Sequence, residues 1–431
     1  MKITDFEKPK RKIRVIQFGG GVFLRGFFDV MLQESNLICG DDSGDAVIIR
    51  SKTTGEDPLS RQNFMYTHIA RDGEHKSVTR VDCIDSSLNP ADDFEKFLSL
   101  AENPDTTAIV SNTTEAGIVY EFTQDLNGAR SYPSRLAALI HRRMKAGLPG
   151  FLVLPCELIE NNGVKLREIV LQHGRDFGFG AEFENYVKNE CDFRNTLVDR
   201  IVSGKPAEGD DTGLTYEDEF VNTSEYFRLW VIEGGPDMTH RFPVFCDLDG
   251  LKFVNDLSLW RTMKVRILNG AHTSMIPYAL LSGVQTVGEC IADDKIRGFL
   301  DRCLFEEIIP SLEGECDLAD AKAYAEDVIW RFANPFIHHK CESIALNSVS
   351  KWKVRVLPSL LAYRSKLGKY PPYLTFSLAK LIELYKKRPP ADDPAVVEMM
   401  RSRSVREIVR DEKLWGADLS AIASEVEKIE S

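Results

Sequence analysis

IRVIQFGGGVFLRGFF, residues 13–28, decides the fold. Its first six residues form a short apolar run rich in β-branched side chains, which reads as a strand. Gly19-Gly20-Gly21 interrupts it, and Val22-Phe23-Leu24-Arg25 then opens a helix that is predicted to run to about Glu34. Strand, glycine turn and helix in that order make the first unit of a dinucleotide-binding fold. Glycines let the backbone approach a pyrophosphate, and a helix start offers N–H groups and a positive dipole. The pattern stops short of GxGxxG, because Leu24 holds the place of the last glycine.

Outward from this turn, strands alternate with helices. Strands are predicted at 46–49, 107–111 and 151–154, and helices at 91–101, 135–146 and from about 163 to 174. The alternation implies an α/β domain, Rossmann-like, with a mainly parallel sheet and helices on both faces. Ligands of such sheets bind beyond the carboxyl ends of the strands. Three of those ends carry polar or glycine-rich loops: Gly19-Gly20-Gly21, Asn112-Thr113-Thr114-Glu115-Ala116-Gly117, and the stretch from Glu157 through Asn161 to Gly163. Residues 195–201 (NTLVDRI) read as a compact segment, 205–218 as a surface loop and 225–233 (EYFRLWVIE) as a strand. Beyond Asp256 the pattern is helical almost throughout, with segments that include 257–283, 318–332, 341–366 and 375–386. The change divides the chain into a dinucleotide-binding domain, 1–255, and an all-α substrate and catalytic domain, 256–431.

Residues 264–283, KVRILNGAHTSMIPYALLSG, open that second domain and read as one helix. Lys264, Asn269, Gly270 and His272 interrupt its apolar stripe. At about 100° per residue, Lys264, His272 and Asn269 fall at roughly 0°, 80° and 140°, on one broad face. A lysine, an amide and an imidazole so placed can move a proton, polarise a carbonyl and orient the reacting group. Gly270 costs about 1 kcal/mol relative to Ala in a helix interior, which suggests that something approaches the backbone there. The helix is expected to face a cleft between the domains, a favoured ligand site.

The 431 residues are 43% hydrophobic and 28% charged, as in a soluble protein with large cores. The formal net charge of −12 argues against broad binding of nucleic acid or anionic membrane. No run approaches the ~20 apolar residues of a membrane span, and the N-terminal stretch lacks the apolar region of a signal peptide. The nine scattered cysteines form no CxxC and no zinc spacing. They suit reduced thiols in a cytoplasm, and no metal is expected.

These motifs resemble those of the mannitol dehydrogenase family, the polyol-specific long-chain dehydrogenases, and within it the tagaturonate reductases (altronate oxidoreductases). Gly19-Gly20-Gly21-Val22-Phe23-Leu24-Arg25 resembles the family's GxGxFxR cofactor turn, and the loop with Thr113, Thr114 and Glu115 its threonine–glutamate loop near the cofactor. Residues 195–201 resemble its NxVDRI segment, Lys264-x4-Asn269-x2-His272 its catalytic KxxxxNxxH, and Arg331-Phe332-Ala333-Asn334-Pro335 its RFxNP turn. One departure stands out. Where polyol-specific members carry an asparagine that helps hold the reacting oxygen, this chain has Leu158 in Cys156-Glu157-Leu158, so Glu157 or Asn161 is the candidate substitute.

The resemblance implies NAD-dependent, metal-independent hydride transfer between a nicotinamide and the C3 carbonyl of a small keto-hexuronate, with the aldonate as the reduced partner. Lys264 is then the acid/base, Asn269 an N–H donor to the oxygen, and His272 an orienting or hydroxyl-binding group. A substrate carboxylate needs a fixed cation. Arg331, His338, His339, Lys340, Lys351 and Lys353 are the candidates in the helical domain. Fructuronate reductase, a mannitol-type polyol dehydrogenase and a non-catalytic dinucleotide sensor are the alternatives. For the cofactor, the strand at 46–49 ends in Arg50-Ser51-Lys52, which suits a 2′-phosphate, whereas the resemblance points to NAD.

Overall fold

The opening apolar run forms β1 (Ile13–Phe18). The computed structural model describes residues 1–50, 55–113, 117–234, 241–244 and 247–430. They fall into two compact units, Met1–Leu257 and Ser258–Ser431.

In the first unit, β1 leads through α1 (Val22–Arg25) and α2 (Phe28–Cys39) to β2 (Asp45–Ile49). A hairpin, β3 (Tyr66–Arg71) and β4 (Lys76–Val81), precedes β5 (Ile84–Leu88), α3 (Phe94–Ser99) and β6 (Ala108–Ser111). Next come α4 (Tyr132–Lys145), β7 (Leu152–Pro155), α5 (Asn162–Asp176), α6 (Gly180–Asn189) and β8 (Asp192–Phe193). Among the described residues the main sheet has the order β5-β2-β1-β6-β7-β8, with every pairing parallel. Helices cover both faces, so strand residues are buried on both. Val15, Ala46, Ile48, Val110 and Leu152 belong to one core, and Ile16, Phe18, Val47, Ile109 and Val153 to the other.

Two small sheets complete the unit. β9 (Thr196–Asp199), β12 (Leu229–Glu233) and β13 (Leu251–Val254) form one; β10 (Val202–Gly204) and β11 (Asn222–Ser224) join the hairpin in the other. The strand order reverses beside β1, between β2 and β6, and registry aligns the carboxyl ends there. Phe18 pairs with Ile49 on one side and Ser111 on the other, and Ser111 pairs with Pro155. The loops after β1, β6 and β7 therefore leave the sheet side by side.

The second unit is helical. α7 (Ser258–Met263) passes through a π-helical stretch, Lys264–Asn269, into α8 (Gly270–Leu281). α9 (Val287–Ala292) and α10 (Asp294–Arg302) follow, then a second π stretch, Cys303–Ile308, α11 (Ile309–Ser311) and α12 (Leu318–Phe332). α13 (Cys341–Ala345), α14 (Ser348–Arg355), α15 (Leu357–Leu367) and α16 (Pro372–Lys387) lead to the short C-terminal helices. One core joins them, with Ile267, Met275, Leu300, Trp352, Leu378 and Trp415 at its centre.

Several expectations need correction. The helix after the glycine turn breaks at Gly26 and Phe27 before resuming at Phe28. A Cβ at Gly26 would lie 2.7 Å from Val202 Cγ1, so β10 fills the space that a continuous helix would need. The helix expected at 91–101 starts only at Phe94, because Asp93 caps it by accepting from Lys96 N at 2.9 Å. The strand expected over 225–233 is confined to Leu229–Glu233, since Glu225 is bound to Ile201 through both its backbone N–H and its carboxylate. The 341–366 helix is three helices, broken by Asn347 at φ 54° and by Val356. Cys39 is disulfide-bonded, which corrects the expectation of uniformly reduced thiols; Cys83, Cys156, Cys191, Cys290, Cys303, Cys316 and Cys341 are free.

The three glycines of the turn are not equivalent. Gly19 has φ +112°, and a Cβ on it would stand 2.7 Å from the Asn112 carbonyl oxygen; a Cβ on Gly21 meets nothing within 4 Å. Gly19→Ala is therefore expected to lower the unfolding free energy by about 1–3 kcal/mol. Gly21→Ala should stay within about 0.5 kcal/mol of the parent. Urea titrations check this, and equal midpoints for the two variants would show that Gly19 is not constrained.

Candidate active site

In the first unit the site is built on the aligned strand ends. Gly19 N donates to Ile49 O at 3.1 Å and Asn112 N to Phe18 O at 3.0 Å, so the loops after β1 and β6 start as extensions of the sheet. Gln17 Nε2 donates to the Gly19 carbonyl at 3.1 Å. Gly20, Gly21 and Val22 are exposed and Phe23 is half-buried, while Leu24 is buried in the core beneath the turn. Arg25 is half-buried, with its guanidinium carbon 5.8 Å from the centre of the Tyr66 ring. The open space at Gly21 and the cation at Arg25 fit an approaching pyrophosphate, the part of a dinucleotide that such a turn holds.

The NTLVDRI segment braces this turn. Arg200 is buried and donates to the Gly26 carbonyl at 2.7 Å and, through two nitrogens, to the Glu225 carbonyl. Asn195 Oδ1 accepts from Gly163 N and Val164 N at 3.1 and 3.2 Å, capping α5.

Glu157 takes a different part from the one expected of it. It is 2% exposed, and both its oxygens are engaged: Oε1 accepts from Thr113 N and Oγ1 at 2.8 and 2.9 Å, and Oε2 from Ser111 Oγ at 2.9 Å. Burial raises its carboxyl, and the bonds from Thr113 and Ser111 pull the other way. Glu157 thus clamps the β6 and β7 loops together, and its assignment as a substitute for the missing asparagine is corrected. Asn161 is exposed at the start of α5, in left-handed backbone at φ 52°, and its side chain makes no cap bond. Thr113 is placed by the clamp, whereas Thr114 and Glu115 lie outside the described residues.

Arg50, the candidate for a 2′-phosphate, is turned aside. Its Nε lies 3.5 Å from Asp57 Oδ2, and its terminal nitrogen donates to the Gly55 carbonyl.

In the second unit the motif expected to be catalytic spans the π turn and the start of α8, so angles taken at α-helical pitch do not apply. Lys264 is buried and Asn269 half-buried at the junction with α8. Arg266, between them, straps the turn in place: Nε donates to Ser359 Oγ at 2.7 Å and a terminal nitrogen to Ser311 Oγ at 3.1 Å. π turns are frequent at functional sites. A Cβ at Gly270 would sit 3.4 Å from the Arg355 carbonyl oxygen and 3.8 Å from Ile308 Cδ1, at ordinary contact distances. The packing around Gly270 would admit an alanine and so does not account for the glycine.

His272 lies in α8, stacked on Phe332 with ring centres 4.0 Å apart and edge-on to His339 at 5.3 Å. Burial first, and then the fields of His339, Arg355, Arg331 and Lys351, hold its imidazole well below the usual histidine range. His272 Nε2 and His339 Nδ1 are buried without a hydrogen-bond partner among the described residues.

The surrounding groups come from three elements. Arg331, 2% exposed, ends α12. His339 is held by its backbone, its carbonyl accepting from Val287 N at 3.0 Å. Lys351 and Arg355 stand four residues apart on α14, and so share one face. Arg355 reaches Thr273 Oγ1 at 3.5 Å. Of the expected cations, His338 and Lys340 are exposed, and Lys353 points toward the Lys413 carbonyl. Arg355 was not anticipated, although its spacing from Lys351 could have pointed to it. Among the described residues no group of three or more His, Cys, Asp or Glu could hold a metal ion.

Comparison with known proteins adds to this geometry. The Mannitol dehydrogenase Rossmann domain matches residues 13–242, and the Mannitol dehydrogenase C-terminal domain matches 256–431. The altronate oxidoreductase of Yersinia enterocolitica is 35% identical, over 97% of this chain and 93% of its own length. That of Cronobacter sakazakii is 38% identical over 89% and 82%, and that of Bacillus subtilis 35% over 96% and 91%. Among solved structures, the mannitol 2-dehydrogenase of Pseudomonas fluorescens in ternary complex with NAD and D-mannitol has a TM-score of 0.77 at 19% identity, over 97% of this chain and 90% of that one. A substrate-free D-sorbitol dehydrogenase has a TM-score of 0.80 at 20% identity, over 99% and 93%. Both share the fold.

The depressed His272 has a measurable consequence. An unfolded histidine takes up a proton near pH 6.5, whereas the folded one does not. The unfolded chain therefore binds more protons below that pH, and folding stability is lost as pH falls through about 6.5. Each such histidine contributes a slope of up to about 1.4 kcal/mol per pH unit. His272→Gln should flatten the decline in urea titrations between about pH 7.5 and 5.5; an unchanged slope would mean that His272 protonates freely in the folded chain.

Proposed function

The chain belongs to the mannitol dehydrogenase family, and we propose that it is the NAD-dependent oxidoreductase interconverting D-tagaturonate and D-altronate. The observation that carries the substrate is the pair of buried ring nitrogens without partners, His272 Nε2 and His339 Nδ1, with His272 in the field of Arg331, Lys351 and Arg355. A polyhydroxy acid brings what such a place lacks. Its hydroxyls can bond His272 Nε2 and His339 Nδ1, and its carboxylate can meet the cations. A neutral polyol has no use for the second feature. NAD is favoured over NADP because Arg50 is directed to Asp57 and Gly55.

Bound NAD(H) supplies or takes the hydride at C3. In reduction the substrate oxygen gains negative charge. Lys264, in its ammonium form, stabilises that charge and gives up a proton to the oxygen; in oxidation the neutral amine takes the proton back. Asn269 donates an N–H to the same oxygen. This pair supplies the charge stabilisation that a Lewis acid would otherwise provide, so the proposed reaction uses no metal. Asn161 is the remaining candidate for the position taken by Leu158. The substrate partner is a small keto-hexuronate or its aldonate.

The test is steady-state turnover with NADH against D-tagaturonate, D-fructuronate and D-fructose. One charge-assisted contact is worth about 1.5–3 kcal/mol, so tagaturonate should exceed fructose in kcat/KM by roughly 10–150-fold. Comparable values would reject the hexuronate assignment and leave a polyol dehydrogenase. A preference for fructuronate would keep the mechanism and change the substrate. In the same assay, Lys264→Ala should lose several orders of magnitude in turnover while still binding NADH, and Asn269→Ala about 10²–10³-fold. Near-normal turnover of the lysine variant would remove Lys264 from the mechanism.

A further inference from the structure

Gln17 is a polar residue inside a strand buried on both faces, and the glycine turn hangs on it. Through its bond to the Gly19 carbonyl it fixes the residue whose left-handed backbone starts the turn. The Gln17 amide also acts on the carboxyl of Asp29, in the first turn of α2, favouring its ionised form. Asp29 is 0% exposed. Tyr66, from β3, places its hydroxyl 2.6 Å from the Arg25 carbonyl and 3.2 Å from Asp29 Oδ2. Cys83, between β4 and β5, donates to the Asp29 carbonyl at 3.3 Å. Arg25, from α1, acts on the same carboxyl, and its buried Nε has no partner. Two acceptors in this cluster, Gln17 Oε1 and Asp29 Oδ1, are buried with no donor.

We propose that Asp29 is a positioning residue for the cofactor turn, which it supports as a neutral carboxylic acid and loosens when it ionises. The inference rests on the reading of residues 19–25 as the cofactor site. A proton on Oδ1 turns an orphaned acceptor into a donor, and Gln17 Oε1 is the acceptor in the cluster that lacks one. Gln17 can then leave its N–H on Gly19. Ionisation removes that donor, leaves Gln17 Oε1 without one and sets it against a carboxylate, which loosens the amide's hold on the turn. It also sets a negative charge beside Arg25, which weakens the positive field offered to a pyrophosphate.

Burial acts in the same direction. It pushes the Asp29 carboxyl up to about 7, against the opposing effects of Tyr66, Arg25 and Gln17. Tyr66 and Cys83 are both held well above their ordinary values by burial and by Asp29, so they stay neutral as it titrates.

The experiment is the dissociation constant for NADH across about pH 5.5 to 9, for the parent and for Asp29→Asn. The parent should lose affinity about tenfold as pH rises through 7, and the variant should lose the pH dependence whatever its absolute affinity. A parent whose affinity does not change with pH, or a variant with the parent's profile, overturns the proposal. If Asp29→Asn does not fold, ¹³C NMR of the parent labelled at aspartate carboxyls decides it. One buried carboxyl should titrate through about 7, and the absence of any such carboxyl overturns the proposal. A parent that binds no NADH at any pH refutes the cofactor reading itself, and the carboxyl titration still reports on Asp29.

Discussion

The fields of Arg331, Lys351 and Arg355 act on a buried imidazole that resists taking a proton. Much of the helical unit is arranged to make this possible. α12 delivers Arg331 at its last turn, and Phe332, next in the chain, forms the floor under His272. One face of α14 supplies the other two cations, and its C-terminal carbonyl packs against Gly270. The stretch carrying His339 is pinned to Val287 through its carbonyl. Like charges brought together around a desolvated ring favour an anion as the resident ligand. Because the ring stays neutral, it can still bond a hydroxyl in either sense. The proposed function assigns charge selection and hydroxyl recognition to neighbouring groups on one framework.

The same economy governs the α/β unit, where sheet register does the positioning. Phe18, Ser111 and Pro155 are paired in line, so three loops leave the sheet together at the reversal of strand order. Glu157 then fastens two of them by accepting three hydrogen bonds from Ser111 and Thr113. Arg200 holds the end of the first short helix by its Gly26 carbonyl. Each of these polar groups is buried and bonded to its surroundings, as the cost of burying it requires.

Much of this was legible in the sequence. The β1 run, its glycines and the alternation that follows identified the sheet, because buried parallel strands are short continuous apolar runs. The KxxxxNxxH spacing singled out the segment proposed to carry the chemistry. The π turn was not legible, since one added residue in a helical turn leaves the composition of KVRILN unchanged. Residues 66–88 carry no clear alternation, and their strands depend on pairing with distant partners such as Asn222 and Ala46. Glu157 looked like a ligand group because a carboxylate after a strand is usually open to solvent; only the fold reveals Ser111 and Thr113 beneath it. Arg355 lay hidden in a helix full of basic residues, where the facing side cannot be read without the neighbouring helices.

The claim at the centre of this account is that the cations around His272 receive the substrate's carboxylate. ¹⁵N NMR of the His272 imidazole tests it directly, with D-altronate and then D-altritol added to the enzyme in the presence of NAD. Altritol has the hydroxyls without the carboxylate. Altronate should shift the His272 resonances and raise the pH at which the ring protonates, because a bound anion offsets the neighbouring positive charges. Altritol should leave that pH where it was. A His272 titration that altronate does not move would contradict the account.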